Sequence, residues 1–125
     1  MTSIAPAVAA WFEIPVTDLA LAITFYETLF TVALKRETIA GMDMAVFPYE
    51  KPAVSGALVQ TPNLKPSADG VVIYINSAGR MDTMLSAVGR LGGEALSSPI
   101  PLPPGMGRIA FIRDCEGNRI GLHEV

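Results

Sequence analysis

Hydrophobic and polar residues alternate near the start of the chain, between Ala9 and Val16. Such alternation is typical of a strand with one buried face, because successive side chains point to opposite sides. The face expected to be buried carries Phe12, Ile14 and Val16. The opposite face carries Trp11, Glu13 and Pro15. The pattern therefore predicts a strand over Ala9–Val16 whose two faces have different roles.

A helical pattern follows this strand directly. Thr17 and Asp18 are suited to the N-cap of a helix. Apolar residues then recur at intervals of three and four: Leu19, Ala22, Ile23, Tyr26, Leu29 and Phe30. We predict an amphipathic helix from Asp18 to about Phe30, whose apolar stripe covers the strand face that carries Phe12.

Strand patterns and turn residues complete the first half of the chain. Strands are predicted at Thr31–Thr38, Met42–Pro48 and Ser55–Gln60. Pro62–Gly70 is polar and contains proline and asparagine, so we predict a connector there.

The second half repeats this order. An apolar strand is predicted at Val71–Asn76, and a helix at Arg80–Leu91 ends where Gly92 and Gly93 stop it. The remaining predictions are a short strand at Glu94–Ser97, a proline-rich loop at Pro99–Gly107, and two final strands at Arg108–Arg113 and Asn118–Glu124, joined by turn residues.

The element order β-α-β-β-β therefore occurs twice. It predicts an α+β fold in which each of two sheets carries one helix on one face. We expect a single domain over residues 1–125, with one module at about 8–61 and a second at about 69–125. The other face of each sheet needs a cover, which two curved sheets closing over a shared cavity, or a second subunit, would supply.

Composition narrows the class of protein. The 125 residues suit one domain, and half of them are hydrophobic. The net charge is −3 and the nine basic residues do not cluster, so no nucleic acid partner is expected. No apolar run approaches ~18 residues, so no membrane partner is expected. The single cysteine, Cys115, cannot form an internal disulfide, which favours a cytoplasmic protein.

Two motifs at opposite ends of the chain carry a family resemblance. The first is Phe12–Asp18 followed by Phe25–Glu27, and the second is Gly107–Phe111 followed by Asp114 and Glu116–His123. Together they resemble the opening strand and the closing hairpin of the vicinal oxygen chelate superfamily, which includes glyoxalases, bleomycin-resistance proteins and extradiol dioxygenases.

The resemblance covers about residues 10 to 124 and implies several properties. The fold would be two βαβββ modules forming a cupped mixed sheet around a cavity, and many members are homodimers. Metal-dependent members bind one divalent ion through four side chains, and the ion then acts as a Lewis acid on a chelating substrate.

The four metal-ligand positions implied by the resemblance carry unsuitable residues in this chain. They correspond to Trp11, Val71 and Gly121, with the fourth near Ala57. An indole N–H, an aliphatic side chain and a glycine cannot coordinate an ion. We therefore expect no metal and no cofactor. If the correspondence is displaced, Glu13, His123 and Glu124 are the possible substitutes.

Candidate chemistry is concentrated on the cavity side of the first and last strands. Glu13 shares the parity of Trp11 and could act as a general base or a substrate hydrogen-bond partner, or serve as a structural acid. His123 lies two residues from Gly121 and could pair with Glu13, or be a satisfied histidine without a catalytic role. The predicted ligand-binding residues are Trp11, Glu13, Val71, Gly121 and His123.

The residues and the family resemblance together leave three small-molecule functions open, beside a fourth hypothesis of a housekeeping interaction protein whose cavity is filled. The first is a homodimeric, bleomycin-resistance-like protein that binds a small apolar or planar molecule without metal. The second is a metal-independent lyase or isomerase that uses Glu13 as acid or base. The third is a metal-dependent enzyme similar to lactoylglutathione lyase or to a dioxygenase. Whether the chain is an enzyme stays open at this point.

Overall fold

Two mixed sheets, each carrying one helix, form the computed structural model, which describes residues 8–125. The first sheet contains β1 (Trp11–Pro15), β2 (Lys35–Ile39), β3 (Met42–Val46) and β4 (Ser55–Gln60), in the spatial order β1-β4-β3-β2. Helix α1 (Leu19–Phe30) follows β1. Strand β1 pairs in parallel with β4, and the other strands are antiparallel. This arrangement leaves β1 at one edge of the sheet.

The second sheet is built from the second half of the chain. It contains β5 (Tyr74–Asn76), β6 (Glu94–Ala95), β7 (Ile100–Pro101), β8 (Arg108–Arg113) and β9 (Arg119–Glu124). Its order is β5-β9-β8-β6, with β7 also paired to β8, and β5 is parallel to β9. Helix α2 (Met81–Ala87) follows β5. Strand β5 thus lies at an edge of its sheet, as β1 does.

The predicted α+β fold of two βαβββ modules is confirmed by this architecture. Strands β4 and β8 have the predicted bounds. Asp18 caps α1 as expected, since its side chain accepts a hydrogen bond from the Leu21 N–H at 3.1 Å. None of the helices within residues 8–125 is long and apolar enough to cross a membrane.

Several predicted bounds were wrong, for local reasons. The strand expected at Thr31–Thr38 begins at Lys35, because Thr31 has a left-handed backbone with φ of 55° that ends α1. The helix expected to reach Leu91 ends at Ala87, and tighter turns follow, with the Leu91 N–H bonded to the Val88 carbonyl at 3.3 Å.

Two further corrections concern the second sheet. The strand expected at Val71–Asn76 is reduced to its last three residues, Tyr74–Asn76. The loop expected at Pro99–Gly107 contains the short strand β7, in which Ile100 pairs with Ile109 of β8. A proline is compatible with so short a strand at the side of a sheet, although it weakens the strand pattern in the sequence.

The hydrophobic core lies on the helix sides of the two sheets. Ile14 on β1 and Val16 directly after it are buried, and Phe12 packs against the same cluster, so the expected cover by α1 is confirmed. The cluster also contains Leu122 of β9 and Met84 of α2. Both modules therefore share one continuous core.

The two modules close in the same way. The Val16 N–H bonds the Val59 carbonyl at 2.9 Å, and the Ser77 N–H bonds the His123 carbonyl at 2.8 Å. In each module, the side chain at the end of the last strand also accepts a hydrogen bond from the first backbone N–H of that module's helix. These bonds join Gln60 to Leu19 at 2.8 Å and Glu124 to Met81 at 3.0 Å. Gln60 of the first module therefore corresponds to Glu124 of the second. Ala57 then corresponds to Gly121, because each lies three residues before the corresponding strand end.

A turn in the second module holds the first module in place. Asn118 donates from Nδ2 to the Pro15 carbonyl at 2.8 Å, and Glu116 accepts from the Thr17 hydroxyl at 2.7 Å. The fully buried Tyr26 hydroxyl of α1 donates to Asp114 at 2.6 Å. Burial, and then the neighbouring Asp114, raise the pKa of Tyr26 well above its ordinary value, so the phenol keeps the proton that it donates.

Replacing Tyr26 with phenylalanine is expected to lower the free energy of unfolding by about 1–3 kcal/mol, because Asp114 loses a buried donor. Urea unfolding followed by circular dichroism measures the loss. Tyr49→Phe is the matched control, since Tyr49 is half-exposed and should be neutral. Equal stability of both variants would show that the hydrogen bond from Tyr26 to Asp114 contributes nothing to the contact between the two modules.

A second buried network surrounds Glu124. The carboxylate accepts from the Ser77 hydroxyl at 2.7 Å and from Arg108 at 2.8 Å, in addition to the Met81 N–H. The hydrogen bond from Ser77 is the largest effect on the pKa of Glu124, which is lowered although partial burial opposes the shift. The charged form of Glu124 therefore stabilises the folded state.

Because the pKa of Glu124 is lower in the folded state than in the unfolded state, its stabilisation is complete above the unfolded value and disappears as the pH falls. The stability difference between the wild type and Glu124→Gln should be largest at pH 7 and should shrink below about pH 4.3. Urea unfolding at both pH values tests this. Glu94→Gln, which alters an exposed ion pair with Arg113, should show little difference at either pH. A pH-independent difference for Glu124→Gln would contradict the expectation.

Candidate functional site

Three neighbouring clefts open beside β1. The apolar cleft has a volume of about 420 Å³ and lies between the edge strands β1 and β5. Its apolar lining includes Trp11, Phe12, Phe47, Val54, Ile73 and Tyr74. Because both modules contribute side chains, this cleft exists only when the two sheets are assembled.

The second cleft, here called the polar cleft, has a volume of about 370 Å³. It shares Trp11, Phe12 and Ile73 with the apolar cleft. The rest of its lining is richer in polar groups and includes Glu13, Lys65, Ser67, Asp69, Asn118 and Arg119. It therefore offers charged and hydrogen-bonding groups directly beside an apolar surface.

The third cleft, here called the outer cleft, lies on the side of the first sheet that faces away from the helix. It measures about 500 Å³ and is lined by Trp11, Lys35, Glu37, Ile39, Val46 and Tyr49. It also shares Phe47 and Pro48 with the apolar cleft.

Trp11 contributes to all three clefts. Its side chain projects from the face of β1 opposite the core, and the residue is 42% exposed. The indole Nε1 donates a hydrogen bond to the carboxylate of Glu13 at 3.3 Å. Glu13 is itself exposed, and this bond is made two residues along the same strand face.

The structure brings three of the five sequence-predicted site residues to one cleft. Trp11, Glu13 and Val71 all line the polar cleft. Gly121 and His123 do not line any of the three clefts described above. The ring of His123 is instead hydrogen-bonded to the Met106 carbonyl at 2.8 Å.

The pair of Glu13 and His123 that the sequence left open is not formed. Each side chain has its own partner within residues 8–125, Trp11 for Glu13 and Met106 for His123. Alternation along a strand fixes the face on which a side chain lies, and it does not fix the distance between two side chains on different sheets.

Gly121 is covered by an aromatic ring that sequence reasoning missed. Tyr74 pairs with Gly121 across β5 and β9, and a Cβ on Gly121 would lie 2.4 Å from the Tyr74 ring. Tyr74 also contacts Phe111 edge-on at 5.8 Å, and the Arg119 guanidinium lies 4.6 Å from the Phe111 centroid. A glycine in a strand indicates that another group approaches closely, but only the register between β5 and β9 shows that this group is Tyr74.

The module correspondence also changes one assignment from the sequence. Glu13 pairs with Ala57 in the first sheet, and Tyr74 pairs with Gly121 in the second. Because Ala57 corresponds to Gly121, Glu13 corresponds to Tyr74. Two residues earlier, Trp11 therefore corresponds to Val72, one position after the Val71 expected from the sequence. Val71 is 99% exposed.

The residues at these positions do not fit a metal ion. Trp11, Ala57, Val72 and Gly121 contain no side-chain atom that coordinates a cation. The Tyr74 ring occupies the surface of Gly121. In residues 8–125, no three histidine, cysteine, aspartate or glutamate side chains converge as a metal site would require. We derive no catalytic step through a metal.

The single thiol is poorly suited to nucleophilic chemistry. Cys115 is half-buried in the Asp114–Asn118 turn, outside the three clefts. Burial, followed by the nearby Asp114 and Glu116, raises the pKa of the Cys115 thiol to about 11. Because the thiolate is the reactive form, Cys115 is largely unreactive at neutral pH.

Comparison with known proteins identifies the family. The chain belongs to the Glyoxalase/Bleomycin resistance protein/Dioxygenase superfamily, whose model matches residues 8–122. A comparison with curated proteins found no match.

Solved structures share the fold. A glyoxalase/bleomycin resistance protein from Albidiferax ferrireducens has a TM-score of 0.67 at 18% identity, covering 94% of this chain and 98% of that chain. The fosfomycin resistance protein FosX from Listeria monocytogenes has a TM-score of 0.64 at 16% identity, covering 96% and 91%. A glyoxalase I mutant from Zea mays has a TM-score of 0.65 at 23% identity.

The coverage of the maize protein differs from that of the other two. The match covers 91% of this chain but only 45% of the maize chain, so this chain spans less than half of that protein. At these identities, the comparisons with solved structures show a common fold.

The donor set leads to a prediction about metals. Purified protein incubated with Zn²⁺, Ni²⁺ or Mn²⁺ and then freed of unbound ions should retain less than about 0.1 ion per chain, because residues 8–125 contain no tetrahedral or octahedral ligand set. Elemental analysis measures the number of metal ions bound per chain, and addition of a chelator should leave the melting temperature of the protein unchanged. Stoichiometric retention of any of these ions would show that the four positions were misassigned.

Proposed function

We propose that this protein binds small apolar or planar organic molecules in the apolar cleft without a metal ion. The observation that carries the proposal is the cleft of about 420 Å³ between β1 and β5, lined by aromatic side chains of both modules. Its volume falls in the usual range for small-molecule sites, and its lining has their usual apolar character.

Aromatic residues favour planar ligands in this cleft. Trp11, Phe12, Phe47 and Tyr74 can contact a ring through their faces or edges, which adds specificity to the burial of apolar surface. A two-ring ligand that removes roughly 250 Å² of apolar surface from water gains about 6 kcal/mol at ~25 cal/mol per Å². Because immobilising the ligand offsets part of this gain, we expect a dissociation constant of roughly 0.1 mM to a few millimolar.

The names of structural neighbours are compatible with such a function. One neighbour is called a glyoxalase/bleomycin resistance protein and another a fosfomycin resistance protein. These names associate the fold with proteins that counter small organic compounds. Fold alone does not transfer an activity, so the proposal depends on the cleft itself.

A metal-independent lyase or isomerase is the second candidate, because Glu13 places a carboxylate in the polar cleft. The hydrogen bond from Trp11 occupies one oxygen of that carboxylate, and His123 is bonded elsewhere. If this candidate is correct, Glu13→Gln abolishes turnover of a cleft ligand while leaving its binding intact. The binding function predicts no turnover in either protein.

We further propose that the protein forms a homodimer. Large apolar side chains are exposed on the sheet faces opposite the helices, including Ile39 in the first sheet and Ile100 in the second, and Tyr49 is exposed beside them in the outer cleft. Apolar side chains of this kind are commonly covered in symmetric dimers. Sedimentation equilibrium distinguishes the dimer from a monomer.

The binding proposal is tested by blocking the apolar cleft. Calorimetric titration with 2-naphthol should show saturable binding to the wild type. Val54→Arg should weaken it at least about tenfold, because a charged side chain would fill part of the apolar cleft. Leu21→Arg is the matched control, since Leu21 is 65% exposed on α1 and lines none of the three clefts.

Two outcomes would contradict the proposal. One is the absence of saturable binding across a set of one- to three-ring aromatic compounds. The other is equal weakening by Val54→Arg and Leu21→Arg, which would locate binding elsewhere on the surface.

A further inference from the structure

The indole of Trp11 stands between three clefts that have different chemical character. The apolar and outer clefts both reach it, as does the polar cleft. Within residues 8–125, the polar and outer clefts have no other lining residue in common. Trp11 is thus the one described residue that lines all three clefts.

The orientation of this indole is held by one polar contact. Its ring is 42% exposed, so packing restrains it on one side only. The hydrogen bond from Nε1 to Glu13 at 3.3 Å supplies a directional restraint along β1. Without an acceptor at position 13, the ring could rotate about its side-chain torsions into other staggered positions.

We propose that Trp11 is the size-selective partition of the binding region and that Glu13 is the positioning residue that holds it. With the indole in place, ligands are limited to one cleft and thus to about two fused rings. Removing or releasing the indole joins the apolar cleft to its neighbours and admits elongated molecules. This inference rests on the proposed binding function and specifies the ligand class that the site accepts.

Substitutions at Trp11 and Glu13 separate the effect of the bulk of the indole from the effect of the hydrogen bond that holds it. Trp11→Ala removes the partition. Trp11→Phe keeps a ring but removes the N–H donor, and Glu13→Leu keeps the indole but removes its acceptor. Glu13→Gln keeps an acceptor oxygen and is the conservative control. Leu21→Ala shortens an exposed side chain on α1 that lines none of the three clefts, and it controls for the effect of an unrelated substitution.

The experiment measures selectivity by calorimetry with two probes, 2-naphthol and the longer 4-hydroxystilbene. The wild type should prefer 2-naphthol. Trp11→Ala should shift the affinity ratio toward 4-hydroxystilbene by about tenfold, and Trp11→Phe and Glu13→Leu by about threefold each. Glu13→Gln and Leu21→Ala should leave the ratio within about twofold of the wild type.

A second measurement follows the restraint without any ligand. Time-resolved anisotropy of the single tryptophan should show faster local motion of the indole in Glu13→Leu than in the wild type, and no change in Glu13→Gln. Because neither substitution alters the core, melting curves should confirm that both proteins are folded. Should Trp11→Ala fail to fold, Trp11→Leu takes its place in the series.

The outcomes distinguish this inference from the proposal on which it rests. If the wild type binds 2-naphthol but Trp11→Ala keeps the wild-type ratio, the partition is refuted and the binding function stands. If Glu13→Leu leaves indole motion unchanged, the positioning role of Glu13 is refuted. If the wild type binds neither probe, the binding function fails and the partition fails with it.

Discussion

The buried hydrogen bond from Tyr26 to Asp114 and the turn around it determine how the two modules meet. Tyr26 belongs to the helix of the first module, and Asp114 to a turn of the second. The same turn contacts the end of β1 through Asn118 and the start of α1 through Glu116. Because the two sheets share no strand pairing, these contacts and the common core set the position of β1 relative to the second sheet. Every cleft lined by both modules depends on that position.

The two modules keep the same closure and differ in the residues that face away from the helices. Gln60 and Glu124 both receive the first N–H of a helix, although one side chain is neutral and the other belongs to a charged network with Arg108. At the next equivalent pair, Ala57 lies beside Glu13 and Gly121 lies beneath Tyr74. The repeat thus preserves the bonds that complete each module, while the residues that face away from the helices differ between the two modules.

This divergence explains why the site is unlike a metal centre. The positions that could converge on an ion instead carry an indole, two small residues and a valine. Of these four residues, only Trp11 lines the three clefts. The lining of the apolar cleft offers shape and apolar contact, and charged side chains lie in the neighbouring polar and outer clefts.

The sequence by itself determined the fold class, the family and the absence of donor atoms at the four family positions. Local periodicity specifies which residues of β1 face the core, and short motifs around Asp18 and Asn118 specify the ends of the modules. Bounds were wrong where local backbone geometry or a proline overrides periodicity, as at Thr31 and in the proline-containing β7.

The composition of the site was decided by the tertiary structure. Trp11, Glu13 and Val71 share a cleft, but His123 and Gly121 face elsewhere, and Tyr74 was not anticipated. Parity along a strand tells which face a side chain takes, and it contains no information about the angle between two sheets. That angle depends on contacts between residues far apart in the chain, such as Tyr26 with Asp114, so only the folded molecule shows which faces meet.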